Sequence, residues 1–202
     1  MQKRSLLLGL AIFSAACAGG GVQQSGMPAP SQKALDQAPD WFNSPPRNSA
    51  EIIYATGEAA LPDPAQARES AVLSARNELA ASLNTEMASL TEKFGSSVQG
   101  SPDGTETLNT FRQAIRGVVR QSLAETQIRN THRTVDAGGT QYRVYVLVEL
   151  NKAAAKQALM DKVKSDANLY ARFRASQAFT DLDAELKKID DGKKAQTPPE
   201  NN

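Results

Sequence analysis

Three observations predict an α+β fold: a small three-stranded antiparallel sheet packed against helices in the order β-α-α-β-β-α, closed by a long C-terminal helix. Apolar residues recur every three or four positions from Val72 to Phe94, the period of one helical stripe. Two runs with strand character, 126–135 and 140–150, flank the turn sequence Asp136-Ala-Gly-Gly139. A third, Glu51-Ile-Ile-Tyr-Ala-Thr-Gly57, is short, apolar and ends in glycine. One sheet with helices on one face is the simplest layering that buries these surfaces.

Each element has its own signal. After the first strand, Asp63 is placed to cap a helix and Pro64 suits its first turn. The stripe of Val72, Ala75, Leu79, Leu83, Met87, Leu90 and Phe94 predicts about 30 residues of helix, roughly 45 Å long. Ala67, Ala71 and Ala80 are small enough for a neighbouring backbone to come close. Residues 95–104 read as a loop from their glycine, serine and proline. A second helix is predicted from Thr105 to Leu123, with Leu108, Phe111, Ile115, Val118 and Ser122 on one face. In the closing strand Tyr142, Val144, Val146 and Val148 share a face, and Tyr145 and Leu147 the other. Tyr145, Leu147 and Ile53 would leave that other face partly apolar. Cover is expected from the last helix or a second subunit, with self-association favoured. Asn151 can cap a final helix from Lys152 to about Ile189, and 191–202 reads as a polar, disordered tail.

The amino terminus follows a different logic. Lys3 and Arg4 precede an almost wholly apolar run from Leu6 to Ala16. As a helix that run spans roughly 16 Å, about half a bilayer's hydrocarbon core, so an export signal over 1–16 is the better reading. The only cysteine, Cys17, stands at its end, after Ser14-Ala15-Ala16. This resembles a bacterial lipobox, whose cysteine becomes lipidated and forms the new N-terminus, although lipoboxes usually carry leucine where Ser14 stands. Ser14-Ala15-Ala16 and Ala16-Cys17-Ala18 also fit ordinary signal cleavage, which would leave a bare thiol or none. One acyl chain anchors only marginally and two anchor firmly, so a lipobox diacylglyceryl group would hold a soluble domain at a membrane. Ala18, in place of aspartate, points by resemblance to the outer membrane. Residues 18–40, rich in Gly, Gln, Ser, Pro and Ala, read as a tether too polar to order itself.

A wider resemblance rests on Pro39-Asp40-Trp41, Tyr54-Ala55-Thr56-Gly57-Glu58-Ala59, and Ala71 with Ala75-Arg76-Asn77-Glu78-Leu79-Ala80. Together with the closing strand 142–150, these resemble the Lpp-twenty family of small bacterial outer-membrane lipoproteins, over about residues 39–160. That family includes flagellar lipoproteins and related flagellar ring proteins, and its fold is a small α+β domain likened to dodecin-type sheets. The resemblance implies a non-enzymatic envelope, surface or flagellum-associated structural part. Its partners would be the outer membrane, further copies of the chain, and envelope or flagellar proteins. In the motif, Trp41 is expected to dock the end of the tether. Tyr54 marks the strand, and Gly57 would give a tight exit or a close helix approach. Arg76 and Glu78 either pair with neighbouring elements or stay solvated. The domain organisation is then 1–16 signal, 17–40 lipidated cysteine and tether, 41–160 folded domain, 161–190 helical extension and 191–202 tail.

Chemistry is sparse. The net charge of +1 is too close to neutral for bulk nucleic-acid binding. A lone cysteine excludes an internal disulfide and a cysteine-rich metal site. His132, the only histidine, lies in a polar strand with no evident nucleophile. Asp181, Asp183 and Glu185 alternate, but Leu186 stands where a calcium loop needs glycine. No catalytic residue, metal site or cofactor is expected beyond the lipid on Cys17. One candidate contact remains: Arg112, Arg116 and Arg120, four residues apart, make a positive stripe for an anionic partner, with Arg129, Arg133 and Arg143 as possible neighbours.

Overall fold

The computed structural model describes residues 38–136 and 139–196. Cys17, the signal, the tether as far as residue 37 and the tail beyond 196 lie outside them; the last tether residue, Asp40, already belongs to a helix.

Strand β3 (Tyr142–Asn151) is the centre of the sheet. It pairs antiparallel with β1 (Ile52–Leu61) on one side and β2 (Gln127–Val135) on the other. Every residue of β3 from Val144 to Leu150 is buried, which accounts for its nearly unbroken apolar sequence. The register sets Ile53 opposite Leu150, Ala55 opposite Val148 and Gly57 opposite Val146. These residues face the helices, so Ile53 belongs with the main core and not with Tyr145 and Leu147 on the far face. The hairpin between β2 and β3 is closed by Asp136, whose side chain accepts from the backbone N–H of Thr140 at 2.7 Å and of Gln141 at 3.0 Å.

The helices are α1 (Asp40–Asn43), α2 (Pro64–Val98), α3 (Gly104–Ala124), α4 (Lys152–Lys164), α5 (Ala167–Arg174) and α6 (Gln177–Gln196). Helix α2 starts as its sequence signals, with Asp63 accepting from Ala65 and Gln66 N–H, each at 2.8 Å. Its end differs from expectation, because the helix runs through Gly95, Ser96 and Ser97 to Val98. Both serine hydroxyls donate back to carbonyls of the preceding turn. Burial of Phe94 and Val98 outweighs the loop-like composition.

The expected single C-terminal helix is three. Asp166 accepts from Leu169 N–H to begin α5, and the Ser176 hydroxyl accepts from Phe179 N–H to begin α6. These two breaks let Leu169, Phe173, Ala178 and Leu182 all reach the core, which no straight helix from 152 to 189 would do. The C-terminal helices therefore complete the same core as residues 41–160. Helix also continues through 191–196, which the composition assigned to a tail. Phe94, Phe111 and Phe173 stack together, with centroids 4.7–5.6 Å apart, tying α2, α3 and α5.

Where β1 crosses α2, Gly57 carries the fit. A Cβ at that position would lie 2.1 Å from the Ala71 carbonyl oxygen and 2.8 Å from Ala75 N, both main-chain atoms in mid-helix. We expect Gly57→Ala to destabilise the domain by about 3 kcal/mol in urea unfolding, because strand and helix must separate. Gly117→Ala, in a helix with open space around it, should stabilise by up to about 1 kcal/mol.

Candidate functional site

The motif residues gather around β1 and its two faces. Gly57 admits the α2 backbone, the close-approach reading of the two. Arg76, from α2, donates to the Thr126 hydroxyl at 2.9 Å, and that hydroxyl donates to the Leu123 carbonyl. Arg76 therefore pins the short link between α3 and β2, and among the described residues it forms no ion pair. Tyr54 lies on the far face of the sheet, half-buried, and its N–H donates to Asn48.

That far face was expected to need the last helix or another subunit. Among the described residues, α1 packs on it. The Phe42 ring packs edge-on against Tyr145 at 4.8 Å, with Trp41 a further 6.4 Å from Phe42. Tyr145 and Leu147 are 1% and 3% exposed. Helix α6 packs instead on α2, α4 and α5. Phe42 makes a ring contact with the sheet, and Trp41, half-buried beside it, packs on Phe42. The covered face supplies no argument for a second copy. His132 is exposed on β2, with its ring 6.2 Å from Tyr145.

The arginine stripe is where the helical period placed it. Arg112, Arg116 and Arg120 are all exposed on α3. Arg112 makes one long hydrogen bond to Asn109, at 3.4 Å. Among the described residues Arg116 and Arg120 meet no carboxylate. The other arginines do not extend the stripe. Arg129 pairs with Glu149 at 2.5 Å, and Arg143 with Glu58 at 3.3 Å, across the far face of the sheet. Arg133 lies at the open edge of β2. On a different side of α3 from the stripe, that helix and α4 line a groove of about 600 Å³, floored by Ala114, Val118 and Ala158.

A second concavity, of about 480 Å³, opens between α2, α4 and α6. Glu86 accepts from Lys152 at 2.8 Å, and its other oxygen lies 3.2 Å from Lys156 Nζ, close enough to pair but poorly aligned for a hydrogen bond. Lys156 also pairs with Glu185, and Lys93 with Asp181 at 2.5 Å. The network clamps α6 onto the other two helices. Its sequence signal was Lys156, a cation in line with the buried Leu159, Met160 and Val163. Burial by itself would raise the Glu86 carboxyl, but the hydrogen bond from Lys152 and the nearby charge of Lys156 outweigh it and hold the group below its ordinary 4.5. For Lys156 burial works downward, and the carboxylates of Glu185 and Glu86 outweigh it, raising the ammonium above 10.5.

Among the described residues, no group of three or more His, Cys, Asp or Glu side chains is arranged to hold a metal ion. None of the helices described is long and apolar enough to cross a membrane. Compared with known proteins, the chain matches no protein-family model, no curated protein and no solved structure.

The Glu86 cluster fixes a pH dependence. A carboxyl held low in the folded state stabilises it above its ordinary value, and that contribution is lost as pH falls through the folded value. Wild type should therefore be more stable than Glu86→Gln at neutral pH, with the gap narrowing below about 4.5. A gap that stays constant into acid would contradict the pairing.

Proposed function

We propose that this chain is a lipid-anchored, non-enzymatic protein of the bacterial outer membrane that serves as a structural or assembly component of the envelope. The observation that carries the reading is the placement of the sole cysteine. Cys17 closes a short apolar run after small residues and opens a polar stretch leading towards α1. Association with a flagellum, and assembly of several copies, come from the resemblance to the Lpp-twenty family. The close fit of Gly57 against Ala71 agrees with a structural purpose for the Tyr-Ala-Thr-Gly stretch and the alanines downstream. The order β1-β3-β2 leaves β2 at an edge of the sheet, where a further strand could add.

A second reading is favoured by α3. No Asp or Glu occurs between Glu106 and Glu125, so its three exposed arginines are left for an external anion. On this reading the domain is a periplasmic adaptor that binds an envelope component or a partner protein.

Growth with a fatty-acid analogue tests the anchor: wild type should incorporate label and fractionate with membranes, and Cys17→Ala should do neither. Label surviving that substitution, or absent from wild type, would overturn the proposal. Light scattering of the purified chain should report particles larger than one copy; a strict monomer favours the adaptor.

A further inference from the structure

Helix α1 is held differently from every other helix. Its backbone hydrogen bonds stay within its own turn: Phe42 and Asn43 N–H donate to the Pro39 carbonyl at 2.9 and 3.4 Å, and Ser44 N–H donates to the Asp40 carbonyl at 2.8 Å. None of its residues is fully buried, and no side chain caps its N-terminus. Among the described residues, no hydrogen bond or ion pair ties 40–47 to the sheet. Its hold is aromatic, Phe42 on Tyr145 and Trp41 on Phe42. One helical turn does not keep its shape alone in water, so the turn and the ring contact stand or fall together. The arm that carries α1 is free along its length. Residues 43–50 are all exposed, and Pro45 and Pro46 have no N–H to offer a neighbouring strand. The next fastening is at Asn48 and Ser49. The Asn48 side chain accepts from Tyr54 N–H at 2.8 Å, and the Ser49 hydroxyl accepts from Glu51 and Ile52 N–H at 3.1 and 3.0 Å. Beyond them β1 pairs with β3 along its whole length. The fastenings therefore grow stronger from α1 towards β1.

We infer that α1 is a releasable latch: it lifts off Tyr145 as one piece, swinging about 44–47, while the sheet and the other helices stay folded. A pull arriving from the upstream chain meets the Phe42 ring contact before any backbone bond to the sheet. Residues 40–47, drawn out at about 3.3 Å each, give up to roughly 26 Å of chain before the load reaches Asn48. The uncovered ring is what closes the latch again. Tyr145 is buried, with Glu58 and His132 opposite it on the two neighbouring strands, so release exposes an aromatic ring to water within a polar surround. The swing is a property of the domain by itself. Its use, as a yielding joint between tether and body, rests on the reading of Cys17 as a lipid anchor.

Trp41 is the only tryptophan of the chain, so its emission reports on the latch. The test follows the full chain in a non-ionic detergent through a urea titration, by tryptophan emission and by far-ultraviolet circular dichroism. The emission should shift to longer wavelength at lower urea than the helix signal is lost. Phe42→Ala should show the shifted emission without urea. It should keep the wild-type circular dichroism and its midpoint, because the latch is already open when the body unfolds. Coincident transitions in wild type would overturn the inference, and so would a Phe42→Ala chain whose emission stays at the wild-type wavelength. Loss of helix signal in Phe42→Ala would overturn it too, since α1 would then be part of the core. Cys17→Ser, which can carry no lipid, should give the same two separate transitions, so that the latch and the anchor fail independently. A latch transition missing from Cys17→Ser would overturn the assignment of the swing to the domain.

Discussion

The approach of Gly57 to the Ala71 carbonyl governs where everything else can sit. With main chain against main chain, β1 and α2 have little freedom to slide, and Ala67, Ala71 and Ala75 keep that end of the helix close to the sheet. Helix α2 is 35 residues long, and its other end holds Met87, Leu90, Phe94 and Val98 in the core. There Phe94 meets Phe111 and Phe173, and Lys93 meets Asp181. A shift at the glycine would be carried along the helix to those contacts. The long helix thus joins a sheet end, built from small residues, to an aromatic end that gathers α3, α5 and α6.

Charge is divided between two places with opposite consequences. In the α2–α4–α6 cleft, Lys93, Lys152 and Lys156 are each matched by a carboxylate, and a buried ammonium is tolerable because it has two partners. On α3 the arginines stand in water without a carboxylate of their own helix between Glu106 and Glu125. The first arrangement closes the domain on itself, and the second leaves it open to something outside. The tethered scaffold proposed above would use both: a body that keeps its shape, and a charged face open to a partner.

Much of this was legible in the chain. The α2 stripe, the Asp63 and Asn151 caps, the two faces of β3 and the exposure of Arg112, Arg116 and Arg120 all follow from local period and capping chemistry. What escaped depended on distant partners. Gly95 and its serines look like a loop because nothing local shows that Val98 is buried and that Phe94 packs on Phe111 and Phe173. The division of 152–196 into three helices turned on Asp166 and Ser176, each able to act as a cap or an ordinary surface residue until Leu169 and Phe173 find the core. Nothing local marks Phe42, because the strand face it packs on is assembled only when β3 is in place. The face that Ile53 takes is not legible locally, because its parity relative to Leu150 depends on pairing across the sheet.

The claim on which the biological account depends is that this domain hangs from lipid on its one cysteine. The most direct measurement is the intact mass of the mature chain extracted from the envelope. The account requires a polypeptide starting at Cys17 and heavier than its amino acids by a diacylglyceryl group, with or without a third acyl chain. A mass matching unmodified polypeptide, whichever residue it begins at, would contradict it.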